Sequence, residues 1–236
     1  MRKQRIIYID GKYIEADIKT IEAFTPGVFQ ARGVFETMLA IGGKVFDVET
    51  HLKRLRSTFK SAGCSSGVVH RVVKANGFNV TRVRVVAWQE GGQKHIAVMA
   101  LKYTLSKKKI FKVCLIKTNR SARSCSANTK SLDYRLFASA YQKAKVKGLD
   151  EALLINRQGH IFEASRSNVF IIHRGRIITP PLSSGCLNGI TRQKVMGIVR
   201  KLGLPVLEKN LTVSMVRTAP KAFLTNSLLG VQPFQF

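Results

Sequence analysis

The sequence predicts an α+β fold on three observations. Short apolar runs alternate with glycine-centred turns, as in RVRVVAWQ, Gly91-Gly92 and HIAVMAL. Other runs repeat apolar residues at helical spacing, as in GITRQKVMGIVRKLG. The composition, 45% hydrophobic and 22% charged over 236 residues, suits a globular protein that buries a core, as one large domain or two small ones.

Residues 6–9 and 12–14 read as strands around the Asp10-Gly11 turn. GVFETMLAI (33–41) is a strand that Gly42-Gly43 turns back into 44–47. Residues 50–62 place Leu52, Leu55, Phe59 and Ala62 at helical spacing, and 82–89 with 95–101 form a hairpin. The polar, small-residue stretch KTNRSARSCSANT then breaks the pattern. It divides the chain into an N-terminal domain, 1–116, an interdomain linker, 117–129, and a C-terminal domain, 130–236. Past the linker, Leu132, Leu136, Phe137, Ala140, Tyr141 and Ala144 share one helical face that Gly148 ends. Strands follow at 151–156, 160–163, 168–173 and 176–179, closed by Pro180-Pro181. Residues 189–203 are a helix bounded by glycines, and LPVLEKN and KAFLTNS are strands flanking a short helix.

No apolar run reaches the roughly 18 residues needed to cross a bilayer. The stretch IIYI near the N-terminus is too short for a secretory signal, so the expected location is the cytoplasm, with no membrane partner. Cys64, Cys114, Cys125 and Cys186 form no C-x-x-C pair and are expected as reduced thiols. The five histidines lack H-E-x-x-H spacing, which argues against a protein-built metal site. The formal charge of +27 points toward polyanions, but the basic residues are spread over the whole chain and not interleaved with aromatics; no specific nucleic-acid partner is expected. Part of the excess is a shortage of acids. Between Thr50 and Leu132 the only one is Glu90, so any acid at an inward position raises a functional question.

Glycine-rich nucleotide loops are absent. SSGCLNGITR sets small residues just before a helix, where backbone N–H groups and the positive helix end converge, and Thr191 adds a hydroxyl. Such a start suits a phosphate and is also an ordinary way to begin a helix. Lys130 stands where the linker meets the helix, with Ser131 placed to cap it, and read alone it is a surface lysine. Glu163 ends a strand and read alone is a turn carboxylate. Arg82 and Arg84 share one strand face; they can hold a dicarboxylic substrate or line an exposed basic surface.

Six segments in order resemble the class-IV aminotransferases over nearly the whole chain: GVFETM (33–38), HLKRL (51–55), TKSLDY (129–134), EASRSNVF (163–170), the PP…GITR stretch (180–192) and FLTNSLLGV (223–231). That family has fold type IV and includes branched-chain aminotransferases, D-amino-acid aminotransferases and 4-amino-4-deoxychorismate lyases. The resemblance implies pyridoxal 5′-phosphate (PLP) as cofactor, lying between a small N-terminal α/β domain and a larger C-terminal domain. It implies a homodimer in which the partner subunit completes the pocket for a small anionic, amino-acid-like substrate. It also implies roles. Lys130 carries the cofactor as a Schiff base and moves the proton at the substrate α-carbon. Glu163 faces the pyridine nitrogen. Arg54, Ile190, Thr191 and Ser227 form the phosphate cup, and Leu187 packs on the ring face. Tyr134 stands near the phenolic oxygen, one residue out of the family's spacing. Thr37 lies where lyases place a threonine near the substrate.

The chain departs from the family pattern in PGVFQAR, ahead of the 33–38 segment, and at Asp133, where asparagine is usual. Relatives also run on past the TNSLLGV loop through a strand and a closing helix, whereas this chain stops at Phe236. FLTNSLLGV resembles the lyase subgroup more than the glycine-threonine-alanine loop of branched-chain aminotransferases. The first expectation is therefore a lyase that eliminates pyruvate from aminodeoxychorismate and leaves 4-aminobenzoate for folate synthesis. The alternative is a transaminase of D- or branched-chain amino acids, and a remoter one is an inactive, basic, nucleic-acid-binding relative.

Overall fold

Hairpins build the first part of the structure, a computed structural model that describes residues 4–29, 31–60, 63–119 and 128–236. β1 (Arg5–Ile9) and β2 (Lys12–Ala16) turn at Asp10 and Gly11, both at positive φ, where glycine is unstrained and aspartate is tolerated. α1 (Ile18–Ala23) starts where the Asp17 carboxylate accepts the N–H of Thr20. β3 (Arg32–Ile41), β4 (Lys44–Val45), β5 (Val80–Glu90) and β6 (Gln93–Lys102) complete an antiparallel sheet ordered β2-β1-β6-β5-β3-β4. α2 (Val48–Thr58) and α3 (Ser66–Asn76) pack beside it; Ala62 of the expected 50–62 helix lies outside the described residues.

The period of two along a strand decides which side chain meets which core. Val34, Met38 and Ala40 of β3 join a cluster with Leu52 and Leu55 of α2 and Val69, Val72 and Val73 of α3. Phe35 joins a different cluster with Ile21, Trp88, Met99 and Leu132. Burying each large apolar side chain of this kind stabilises by roughly 1.5–3 kcal/mol.

Leu132 belongs there because the open edge of β3 is closed from far along the chain. β4 pairs with only Ala40 and Ile41. Nearer the start of β3, the N–H of Phe35 donates to the carbonyl of Lys130 at 2.9 Å, and the N–H of Leu132 donates to the carbonyl of Gly33 at 3.0 Å. Val34 and Ser131 form an antiparallel bridge between these bonds. One compact unit accordingly comprises Met1–Leu105 with Lys130–Arg135, and the other Ser106–Thr129 with Leu136–Phe236. The expected division at 1–116, 117–129 and 130–236 is thus shifted at both borders. Residues 120–127 of the expected linker, Cys125 among them, lie outside the described residues.

The second unit carries a nine-stranded sheet. Its strands are β7 (Phe111–Lys117), β8 (Glu151–Ile155), β9 (His160–Ala164), β10 (Asn168–His173), β11 (Arg176–Thr179), β12 (Val206–Glu208), β13 (Leu211–Thr212), β14 (Lys221–Asn226) and β15 (Gly230–Gln235). They run in the order β12-β11-β10-β14-β15-β7-β8-β9-β13, with β7 parallel to β8 and β15. α4 (Arg135–Val146) starts later than expected, so Ser131 does not cap it; its hydroxyl accepts the N–H of Asp133 instead. The buried stripe of α4 is Phe137, Ala140 and Ala144, while Leu136 is 37% exposed. α5 (Ile190–Lys201) and α6 (Val213–Thr218) complete the unit. No helix among the described residues is long and apolar enough to cross a membrane.

Candidate functional site

Within the first unit, the strip that closes β3 also fixes Lys130. Its ammonium lies 4.3 Å from the centroid of the Phe35 ring and 5.8 Å from that of Tyr134. The two rings meet edge to face with centroids 5.3 Å apart. A cation over ring faces is attracted by their negative quadrupole, and the rings limit its access to water.

Thr37 follows two residues after Phe35 on the same face and pairs directly with Arg84 of β5. Arg82 pairs with Leu39, so both arginines share that face, as their spacing predicts. Arg84 is not part of an exposed basic surface, because it is buried. Its Nη1 donates to the Thr25 hydroxyl at 3.1 Å, and its Nε has no hydrogen-bond partner among the described residues. Burial, with the charge of Arg82 beside it, lowers its pKa to about 10. A buried guanidinium with a spare N–H can take a carboxylate oxygen.

On the opposite face of β3, Glu36 occupies a position in phase with Val34 and Met38 and is 1% exposed. Its carboxylate accepts Nε and Nη2 of Arg54, both at 2.7 Å, and lies 2.7 Å from Nδ1 of the buried His51. Burial alone would raise the Glu36 pKa. The hydrogen bonds and charges of Arg54 and His51 outweigh it and hold the carboxyl at about 2.

Within the second unit, Glu163 is the penultimate residue of β9 and its Oε2 accepts the N–H of Leu187 at 3.2 Å. The carbonyl of Leu187 accepts the side-chain amide of Asn168 at 2.8 Å. A Cβ added to Gly189 would collide with the Asn168 side-chain oxygen and displace that amide. Two polar side chains therefore pin the loop that leads into α5. The helix begins at Gly189 without a side-chain cap and has no acid in its first turn, and it presents buried Ile190 and half-buried Thr191. An uncapped helix start of this kind fits a phosphate. Ser227 stands in the turn between β14 and β15, which Asn226 braces by accepting the N–H groups of Leu228 and Leu229 at 2.9 and 2.8 Å.

The structure thus brings Lys130, Tyr134, Thr37, Arg82 and Arg84 to one face of the first sheet and sets Arg54 on the other, while Glu163, Leu187, Ile190 and Thr191 gather around one loop of the second unit. The sequence reading assigned no role to Glu36, His51 or Asn168. A signal for Glu36 existed: it is a carboxylate in the apolar phase of a strand, in a chain poor in acids. Cys64, Cys114 and Cys186 are free thiols.

The sequence pattern of the amino-transferase class IV family matches residues 33–235. A Methanocaldococcus jannaschii protein, provisionally named a branched-chain-amino-acid aminotransferase, is 26% identical over 96% of this chain and 86% of its own length. The structure of a branched-chain aminotransferase from Thermoproteus uzoniensis with norvaline superposes with a TM-score of 0.85 at 27% identity, covering 98% of this chain and 86% of that one. A Legionella pneumophila structure, provisionally named a 4-amino-4-deoxychorismate lyase, gives a TM-score of 0.78 at 23% identity over 90% of this chain and 88% of its own.

Proposed function

This chain belongs to the class-IV aminotransferase family of PLP-dependent, fold-type IV enzymes, and from that premise we propose that it is a transaminase of branched-chain amino acids. The observation that carries the proposal is likeness along nearly the whole chain to proteins named for that activity, one of them solved with an aliphatic amino acid. The lyase expectation has less support. At 23% identity the structure bearing that name speaks for the fold alone, and the TNSLLGV loop is a short motif.

The residues present fit PLP: a primary amine over aromatic rings, an inward carboxylate, and an uncapped helix start beside a threonine hydroxyl. The cofactor, when bound, supplies the electron sink that lets a substrate α-carbon release its proton. In this reading the Lys130 amine holds the cofactor covalently and moves that α-proton. Glu163, oriented by the Leu187 N–H, holds a proton at the pyridine nitrogen. Arg54, and separately the α5 start with Ile190, Thr191 and Ser227, would each serve as a phosphate ligand, the helix contributing its dipole. Leu187 would pack against the cofactor ring, and Tyr134 would face its phenolic oxygen. Thr37 and Arg84, paired across β3 and β5, orient the substrate carboxylate with Arg82. A cytoplasmic homodimer without a specific nucleic-acid partner goes with this reading.

The test is substrate choice. Leucine or valine with 2-oxoglutarate should yield glutamate. Turnover of D-alanine alone would move the assignment to the D-amino-acid subgroup. Release of pyruvate and 4-aminobenzoate from aminodeoxychorismate, with no glutamate formed from leucine, would restore the lyase.

A further inference from the structure

We infer that Glu36 and His51 are positioning residues that fix the Arg54 guanidinium for phosphate binding; the inference rests on the reading of Arg54 as a phosphate ligand. Arg54 lies on α2, and an arginine side chain there is long, with much rotamer freedom to lose on binding an anion. Glu36 removes that freedom beforehand. It grips one edge of the guanidinium with two bonds of 2.7 Å, a geometry that fixes both the position and the plane of the group. Glu36 is itself fixed, because it stands inside the β3 ladder with its side chain 1% exposed. His51 precedes Arg54 by three residues, so both reach the same carboxylate from one face of α2. His51 shares Oε2 with Nη2 of Arg54, which prevents the carboxylate from rotating away.

The arrangement has a second effect. Burial would favour a neutral Glu36, yet the pair holds it ionised, so the guanidinium always faces one negative charge. Much of its charge is offset before any phosphate arrives, and its contribution to the cup depends on where its N–H groups point. Losing Glu36 should then weaken phosphate binding even though a negative charge has been removed from its neighbourhood. A purely electrostatic role would predict the reverse.

The experiment titrates the full-length protein, stripped of cofactor, with PLP and separately with pyridoxal, which lacks the phosphate, following cofactor absorbance. Glu36→Gln should lose about tenfold or more in PLP affinity while its pyridoxal affinity stays unchanged. His51→Asn should show a smaller loss of the same selectivity. Melting temperatures are measured alongside, and if Glu36→Gln does not fold, His51→Asn decides. A merely structural role would lower both affinities together. Arg54→Gln separates the two ideas. If it loses the preference for PLP while the Glu36 and His51 variants keep it, or bind PLP more tightly, the positioning role is overturned and the phosphate reading of Arg54 stands. If Arg54→Gln keeps the preference too, that reading falls and the inference falls with it.

Discussion

Phe35 and Glu36, neighbours in sequence, point to opposite faces of one strand and hold one cation each: Lys130 over the Phe35 ring and Arg54 in the Glu36 carboxylate. The pleat of β3 thereby sets two candidate cofactor groups in fixed relation to a single stretch of backbone. That stretch is buried, and β5 pairs with it along its whole length.

Lys130→Ala should abolish covalent PLP attachment and leave the fold intact, because the backbone bonds that hold residues 130–132 to β3 do not use the side chain. Borohydride reduction of the loaded protein followed by peptide mapping checks it. A reduced PLP adduct on another lysine would refute the assignment.

Glu163→Gln should retain PLP while slowing turnover by several orders of magnitude. An amide keeps the shape and can still accept the Leu187 N–H, but it cannot hold the pyridine nitrogen protonated. Wild-type turnover in this variant would leave Glu163 as an anchor for the loop and nothing more.

The strands and helices with a clean period were legible in the sequence. β3, β5, β6 and α5 fall within a few residues of their expected bounds. α1 was not, because six residues make too few turns to show a period. α3 was hidden by four β-branched valines; its markers are the Ser65 cap and the Gly77 stop. β15 carries a proline, which weakens a strand signal. The residues around 130 looked like the foot of a helix because Leu132 matches the apolar period of α4. Their partner is β3, nearly a hundred residues earlier, and no local pattern encodes a pairing at that distance. The motif residues of the candidate site were legible, but the carboxylate that holds Arg54 and the amide that holds the Leu187 loop belong to tertiary structure.

Stability should depend on acid pH through Glu36. The carboxyl ionises at about 2 in the folded chain against about 4.5 ordinarily, so its ionised form stabilises the fold above about 4.5, and that stability is lost as pH falls through about 2. The contribution is roughly 3 kcal/mol. Urea unfolding between these limits should show the stability gap between wild type and Glu36→Gln narrowing toward the acid end. A gap independent of pH would mean that charge at Glu36 plays no part.

Gly33→Ala should destabilise the first unit by about 1–3 kcal/mol and loosen the strip that carries Lys130. The new methyl would collide with the Ala87 carbonyl and meet Leu132 Cδ1 and Trp88 Cα, each at 2.8 Å. Chemical denaturation gives the stability change, and the yield of covalent PLP after borohydride reports the strip. Wild-type values for both would show that β3 and β5 separate easily there.

The return of Lys130–Arg135 to the first unit makes the two halves of this protein inseparable as products of contiguous coding segments. A fragment ending at Leu105 would lack the strip that closes β3 and would expose a bare strand edge, a template for self-association. A fragment starting at Ser106 would carry the lysine and that strip without the strand they pair with. Mixing the two would make the closure of β3 a bimolecular event, so covalent cofactor capture would report reassembly and vary with fragment concentration.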